Sequence, residues 1–347
     1  MIYFNNDYSE GCHPKILEAL TRTNYEQTLG YGEDEYCARA AEKIRALCGR
    51  EDAAVHFLVG GTQTNMTVIA AALRPHQGVL CADSGHINTH ETGAVEATGH
   101  KVLPLPSRDG KIDAGQVREA VLSHRADASF EHTVQPKMVY ISNPTELGTL
   151  YTKAELTALR DTCRELGLYL FLDGARLGYG LMAKDNDLTL KDIGDCCDVF
   201  YIGGTKVGAL FGEAVVIRNP ALAEDFRYII KQHGGMLAKG RLLGIQFDTL
   251  FTDDLYYKIS AHADAMADRL RDTLAEIGAP LLVPGTTNQV FAILPDTLLE
   301  ELAKTVTFSE QERVSDTHRA VRFCTSWATK AENVDTLCRK LKELAAK

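Results

Sequence analysis

The sequence has little of what marks a stapled, metal-bound or membrane-inserted chain. Its nine cysteines, Cys12, Cys37, Cys48, Cys81, Cys163, Cys196, Cys197, Cys324 and Cys338, are odd in number, scattered, and form no C-x-x-C pair. Neither a disulfide framework nor a zinc site is expected, and we read them as reduced thiols, most of them small core hydrophobes. There is no basic run, and 37 Lys+Arg stand against 47 Asp+Glu for a net charge of −10. That balance disfavours nucleic acids and anionic membranes, which draw on clustered cations. Nowhere do ~18 uncharged apolar residues follow one another, and MIYFNNDYSE lacks the basic and then apolar pattern of an export signal. A cytoplasmic protein acting on a small molecule is expected. No G-x-G-x-x-G follows a strand pattern and no G-x-x-x-x-G-K-[ST] occurs, so dinucleotide and P-loop fingerprints are both missing.

What is present suits a large globular chain. At 347 residues and 45% hydrophobic, it can bury a core without staples, and its length suggests roughly two domains. From about residue 35 to 217, short apolar runs alternate with amphipathic stretches, the rhythm of βαβ units. The runs Val55–Val59, Val79–Ala82, Lys101–Leu105, Met138–Ser142, Leu168–Leu172, Val199–Ile202 and Ala214–Ile217 predict a mostly parallel seven-stranded sheet. Between them Lys153–Leu166 carries Leu156, Leu159, Cys163 and Leu166 at helical spacing, and a helix is expected over Met66–Leu73. Beyond Pro220 the pattern turns to helices over 223–232, 242–250 and 255–277, strands Gln289–Leu294 and Ala320–Thr325, and a last helix from Ala331. We therefore expect an α/β domain over 1–235, a smaller α+β domain over 236–347, and a site in the cleft between them.

Three segments carry chemistry. In Val59–Asn65 a strand end meets Gly60, Gly61 and Thr62 and then a helix, a junction where free N–H groups suit a phosphate, although a plain glycine turn with a threonine cap would read the same. In Leu168–Arg176 an apolar strand ends in Asp173 with Arg176 close behind; they face a ligand site at the strand's carboxyl end or simply pair with each other. In Val199–Lys206 a buried strand runs into two glycines, Thr205 and Lys206, and a desolvated lysine can form a Schiff base, whereas most lysines are surface groups. Together, a phosphate cradle, a strand-end acid and a lysine are the parts needed to hold pyridoxal phosphate, whose ring nitrogen needs a carboxylate to act as an electron sink.

These residues resemble the fold type I pyridoxal-phosphate enzymes of the low-specificity L-threonine aldolase and β-eliminating lyase family. The anchors, in chain order, are Asn6-Asp7, Gly30–Asp34, Gly60–Asn65, Gly85–Ala94, Asp173–Arg176, Thr205-Lys206, Gly234–Met236 and Val321–Phe323. The resemblance implies that Lys206 binds the cofactor covalently, Asp173 pairs with the pyridine nitrogen, and Arg176 meets the phenolic oxygen. It implies that Gly60, Gly61 and Thr62 hold the phosphate with Thr205 as helper, that His86 stacks on the ring, and that Arg322 grips the substrate carboxylate, a task that suits its planar fork. Asn6 joins the substrate set, and in a homodimer or homotetramer Tyr31 and Lys231 reach into the neighbour's site, Tyr31 toward substrate and Lys231 toward cofactor. No metal is implied.

The resemblance further implies retro-aldol cleavage of a β-hydroxy-α-amino acid, L-threonine or L-allo-threonine, to glycine and an aldehyde. His86, His90 or a bound water would take the hydroxyl proton. The chain departs from the family where the substrate side chain would lie. It reads Gly-Gly-Thr for Ser-Gly-Thr, His90 for a tyrosine, and Asn143-Pro144-Thr145-Glu146 in place of a second active-site histidine. Pyridoxal-phosphate-dependent β-elimination or transamination is the nearest alternative, and a non-catalytic protein binding a phosphorylated metabolite is a second.

Overall fold

The computed structural model describes residues 1–346. Its central sheet holds seven strands, Ala54–Leu58, Gln77–Ala82, Lys101–Leu105, Gln135–Ser142, Tyr169–Asp173, Val199–Gly203 and Glu213–Ile217. These are the seven expected runs, with some ends shifted by one to a few residues. In space the order is Ala54–Leu58, Glu213–Ile217, Val199–Gly203, Tyr169–Asp173, Gln135–Ser142, Gln77–Ala82, Lys101–Leu105. Only Glu213–Ile217 runs against its neighbours; the other pairings are parallel. The chain moves outward from Gln77–Ala82 to the edge strand Lys101–Leu105, then returns and builds the other way from Gln135–Ser142. Such a reversal opens a crevice outside the carboxyl ends of the strands.

Side chains alternate between the two faces of the sheet, and both faces are covered. Leu80, Val139, Ile141, Leu170, Leu172, Phe200 and Ile202 join a core that also takes in Ile44, Leu156, Ile193 and Phe247. Val79, Met138, Tyr140, Phe171, Val199, Tyr201 and Val215 join a second core with Val68, Ile69, Phe226 and Ile230. Burial on both faces explains why the strands read as near-continuous apolar runs. Lys153–Leu166 is helical over the expected span, with Thr152 and Glu155 forming a reciprocal cap.

A third core, containing Phe4, Leu270, Leu274, Val290, Val321, Phe323, Val334 and Leu337, lies under a second sheet. There Ser309–Arg313, His318–Cys324 and Gln289–Pro295 pair antiparallel in that order. The helix Leu255–Glu276 spans two cores: Tyr256 and Ile259 lie in the first and Leu270 and Leu274 in the third. Ile2–Tyr3 pairs parallel with Val306–Thr307, and this threads Asn5–Asp7 past the second sheet toward the crevice.

Two expectations need correction. The single helix over 223–232 is two pieces, Pro220–Ala223 and Phe226–Gln232, because Asp225 sits at φ 57° in the left-handed region that aspartate tolerates better than most side chains. The helix after the first glycine pair spans Gly61–Ala72 rather than Met66–Leu73, so it starts directly off the strand end. Among the described residues no helix is long and apolar enough to cross a membrane.

Candidate active site

Gly60, Gly61, Thr62, His86, Asp173, Arg176, Thr205 and Lys206 line one cavity of about 330 Å³ at the carboxyl ends of the strands. The helix Gly61–Ala72 begins there behind Gly60, which has no side chain to cap it. The first N–H groups of a helix have no carbonyl one turn back, and here they open onto the cavity. A Cβ added at Gly60 would meet nothing within 4 Å, so the cradle has room for an anion held by those donors and the helix dipole.

Asp173 ends its strand, 4% exposed. Its Oδ1 accepts from the Ala175 N–H at 2.9 Å. Its Oδ2 accepts from Asn65 Nδ2 at 3.1 Å and from the Tyr140 hydroxyl at 2.5 Å. Asn65 lies one helical turn past Gly61, and Tyr140 is on the neighbouring strand, where Ser142 is in register with Asp173. A charged acid so buried needs such donors. It is fixed in position and ready to pair with a cationic ring.

Lys206 follows Val199–Gly203 in a loop tied back on itself, with the Gly204 and Thr205 N–H groups both donating to the Gly212 carbonyl at 3.0 and 3.1 Å. Its own carbonyl accepts from the Tyr179 hydroxyl at 2.5 Å. Burial and the nearby Arg176 disfavour the ammonium and lower its proton affinity, while Asp7, Asp173 and Glu213 oppose this only in part. Glu213 is pushed up by its own burial. Its two oxygens accept from the Thr205 hydroxyl at 2.8 Å and the Gly204 N–H at 3.0 Å. The Thr205 hydroxyl also accepts from the Gly212 N–H at 3.0 Å, so this side chain is committed to the shape of the loop.

Arg176 directs Nε and one Nη onto Asp7, at 2.6 and 2.9 Å. Asn288 Nδ2 donates to the same carboxylate at 2.9 Å. His86 Nδ1 lies 2.7 Å from Glu91 Oε1; a carboxylate only accepts, so Nδ1 carries the proton. Burial works against the imidazolium, but Glu91 and Asp173 outweigh it and raise His86 above its ordinary value. His90 lies outside the cavity lining, stacked on His86 at 5.6 Å. Its proton affinity is lowered by partial burial, then by His86, Arg322 and Lys206.

The remaining expected residues, Asn6, Arg322, Tyr31 and Lys231, are not among those lining this cavity. Asn6 uses its Oδ1 in a local turn, accepting from the Tyr8 N–H and the Ser9 hydroxyl at 3.0 and 2.8 Å. Arg322 donates to the Asn5 carbonyl at 3.1 Å, while its buried Nε has no partner. An orphaned guanidinium nitrogen of this kind suits a carboxylate ligand. Tyr31 and Lys231 lie against each other, ammonium to ring centre 4.7 Å, and Tyr31 lines a different cavity. Within one chain these two do not join the site.

Sequence reasoning gave no role to Asn65, Glu91, Tyr140 or Glu213, met Glu146 only as a departure from the family pattern, and noticed Asp7 only as a neighbour of Asn6. The signal for Asn65 was a polar side chain one turn into an apolar helix. The signal for Tyr140 was a hydroxyl in an otherwise apolar strand. Glu213 stands just before the expected strand Ala214–Ile217 and drew no reading.

The donor set fits a phosphate-bearing aldehyde with a basic ring nitrogen: an uncapped helix start, a buried amine and a buried acid share one cavity. An open α/β sheet with such groups at its strand ends defines a small-molecule enzyme site. The beta-eliminating lyase pattern matches residues 8–297, and the chain belongs to that family. It is 35% identical over 305 residues to the low specificity L-threonine aldolase of Pseudomonas sp. (strain NCIMB 10558), covering 86% of each chain. A solved structure of Leishmania major threonine aldolase matches with a TM-score of 0.97 at 48% identity, over 99% of this chain and 100% of that one. Thermus thermophilus aspartate aminotransferase shares the fold, with a TM-score of 0.73 at 17% identity over 99% and 91% of the two chains.

Proposed function

We propose that this chain cleaves L-threonine or L-allo-threonine to glycine and acetaldehyde with pyridoxal 5'-phosphate as cofactor. The observation that carries the reading is the meeting, in one cavity, of the Lys206 amine, the Asp173 carboxylate and the uncapped helix start at Gly60–Thr62. The similarity to threonine aldolases supports the choice of reaction. When bound, the cofactor supplies an electron sink for the charge that develops at the substrate's Cα.

The chain's own residues do the rest. Lys206 would hold the cofactor covalently, and burial with the nearby Arg176, by lowering its proton affinity, favours the neutral amine that this needs. Asp173 keeps the ring nitrogen protonated, and Asn65 and Tyr140 keep Asp173 in place. Gly60, Gly61 and Thr62 hold the phosphate through N–H groups, and Thr205 shapes the loop beside it. His86 would cover the ring, and Arg176, oriented by Asp7, would meet its phenolic oxygen. Arg322 receives the substrate carboxylate.

We also assign Tyr31 and Lys231 to the site of a neighbouring subunit in a homodimer or homotetramer, and the protein to the cytoplasm. The expected division into 1–235 and 236–347 remains our proposal, although the membership of the cores favours moving the boundary into Leu255–Glu276, with residues 2–5 on the side of the smaller domain. The test is the visible spectrum of the purified protein before and after borohydride, with product analysis on both threonine isomers. Reduction should fix the cofactor on Lys206, and glycine and acetaldehyde should accumulate in equal amounts. Pyruvate or a keto acid instead would move the function to elimination or transamination. A Lys206→Ala chain that cleaved threonine at the native rate would overturn the assignment.

A further inference from the structure

Glu146 is an acidic side chain of the cavity to which the reading above gives no task. It follows the strand Gln135–Ser142 and lines the cavity together with His86, Asp173 and Lys206. Its Oε1 accepts from the Ser142 hydroxyl at 2.7 Å and from the His86 N–H at 2.9 Å, so one carboxyl oxygen is held by the residue that begins the ring-covering helix turn. Its backbone is pinned as well. The Thr145 N–H donates to the Thr149 carbonyl at 2.9 Å, and Gln289 Nε2 donates to the Glu146 carbonyl at 3.2 Å. A carboxyl fixed at one oxygen, on a pinned loop at a strand end, is preorganised toward the cavity.

Its surroundings favour a proton carrier over a permanent charge. Burial raises the carboxyl above its ordinary value, and nearby Asp173 adds to this, while the Ser142 and His86 hydrogen bonds oppose it. The titratable groups around it are Asp173 on the adjacent strand end, His86 and Cys81 from the next segment along, and Tyr140 and Tyr151 on either side of its own loop. His86 can be cationic, but its ring pairs with Glu91 and only its backbone N–H meets Glu146; of the other cations in the cavity, Lys206 and Arg176, the second is paired with Asp7. A base works best when its value lies near the working pH, and burial moves this carboxyl in that direction.

We propose that Glu146 is the group that takes the proton of the substrate's β-hydroxyl. As the Cα–Cβ bond breaks, its electron pair stays with Cα, the O–H pair becomes the second bond of the aldehyde carbonyl, and the proton goes to the Glu146 carboxylate. A proton delivered to Cα then completes glycine, and loss of one from Glu146 restores the carboxylate. This deepens the proposed function and rests on it.

Glu146→Gln keeps an oxygen for Ser142 and His86 but cannot take a proton. Threonine turnover should fall by roughly 10²- to 10⁴-fold with KM nearly unchanged, while solvent-deuterium exchange at the α-carbon of glycine, which involves no β-hydroxyl, should persist. Ser142→Ala, which removes one hydrogen bond to the carboxylate, should shift the acid limb of the kcat profile to higher pH without abolishing turnover. An independent reading comes from glutamate labelled with ¹³C at the side-chain carboxyl. One resonance, missing from the Glu146→Gln spectrum, should titrate above the exposed glutamates and move further up in Ser142→Ala.

Turnover of threonine by Glu146→Gln at the native rate would overturn the proposal, as would loss of glycine exchange to the same extent as cleavage, which marks a purely structural role. An acid limb unmoved by Ser142→Ala would also overturn it. If the native chain exchanged glycine but released no aldehyde from threonine, the functional reading would fail first and this proposal with it.

Discussion

Asp7 and Arg176, 169 positions apart, meet through two hydrogen bonds of 2.6 and 2.9 Å, with the carboxylate fully buried. The pair ties the N-terminal segment to the strand-end loop that carries Asp173. Burial alone would raise the Asp7 carboxyl, but Arg176, Lys206 and Asn288 together outweigh it and hold Asp7 below the usual carboxylate range.

Asp7→Ala leaves the Arg176 charge buried without its partner. Loss of one member of such a pair costs about 3–5 kcal/mol, and urea denaturation at neutral pH should show that decrease. The folded value lies below the unfolded one, so the stabilisation is present above the unfolded carboxylate value of ~3.9 and is lost as pH falls through the folded value. The native chain should therefore lose stability steeply below about pH 4, and Asp7→Ala should show a flatter acid dependence.

Asn65→Leu removes a donor shared by two buried carboxylates, Glu91 at 2.7 Å and Asp173 at 3.1 Å. Leaving buried acceptors short of donors costs about 1–3 kcal/mol. We expect a lower denaturation midpoint and an affinity for pyridoxal phosphate weakened about tenfold, measured by absorbance titration of the cofactor-free chain.

The two stacked histidines should titrate apart. His86 is raised by Glu91 and Asp173 against its burial, and His90 is lowered by its partial burial and by its cationic neighbours. Proton NMR should find His86 above and His90 below the ordinary value of ~6.5. Glu91→Gln should bring His86 down. A raised folded value stabilises the chain below the unfolded value and the effect fades as pH rises through the folded one, so Glu91→Gln should lose stability mainly at pH 6 and below.

Gly174→Ala tests the backbone packing behind Asp173. A Cβ there would come within 2.0 Å of the Tyr201 carbonyl oxygen, a backbone atom that cannot yield cheaply, with the Leu177 side chain 3.1 Å away. Overpacking of this kind costs about 1–3 kcal/mol or more. The variant should be less stable by that amount and should bind the cofactor weakly, since Asp173 moves with its neighbour.

The seven strands and the helix Lys153–Leu166 were legible because each buries a periodic pattern that local sequence carries in full. Asp173, Lys206 and Gly60–Thr62 were legible because each closes such a run with a residue type that a buried strand end does not need. The helix over 223–232 was misread, since nothing in its composition announces the left-handed Asp225. Glu146 was noticed only as a departure from a pattern, and Glu91, Tyr140 and Glu213 were passed over. Their meaning lies in what they touch, and hydrogen-bond partners such as His86 for Glu146, 60 residues apart, follow no sequence period.

The sequence by itself determined the class of fold and the chemistry available at three strand ends, because hydrophobic periodicity and a residue's intrinsic reactivity are local properties. Only the tertiary structure decided which of those groups share a cavity and which charges hold one another. It paired Arg176 with Asp7 and Glu91 with His86, placed Glu146 in the cavity that holds Asp173 and Lys206, and left Tyr31 and Lys231 outside its lining. Proton affinities follow from burial and from neighbours a few ångströms away, and those neighbours are chosen by packing.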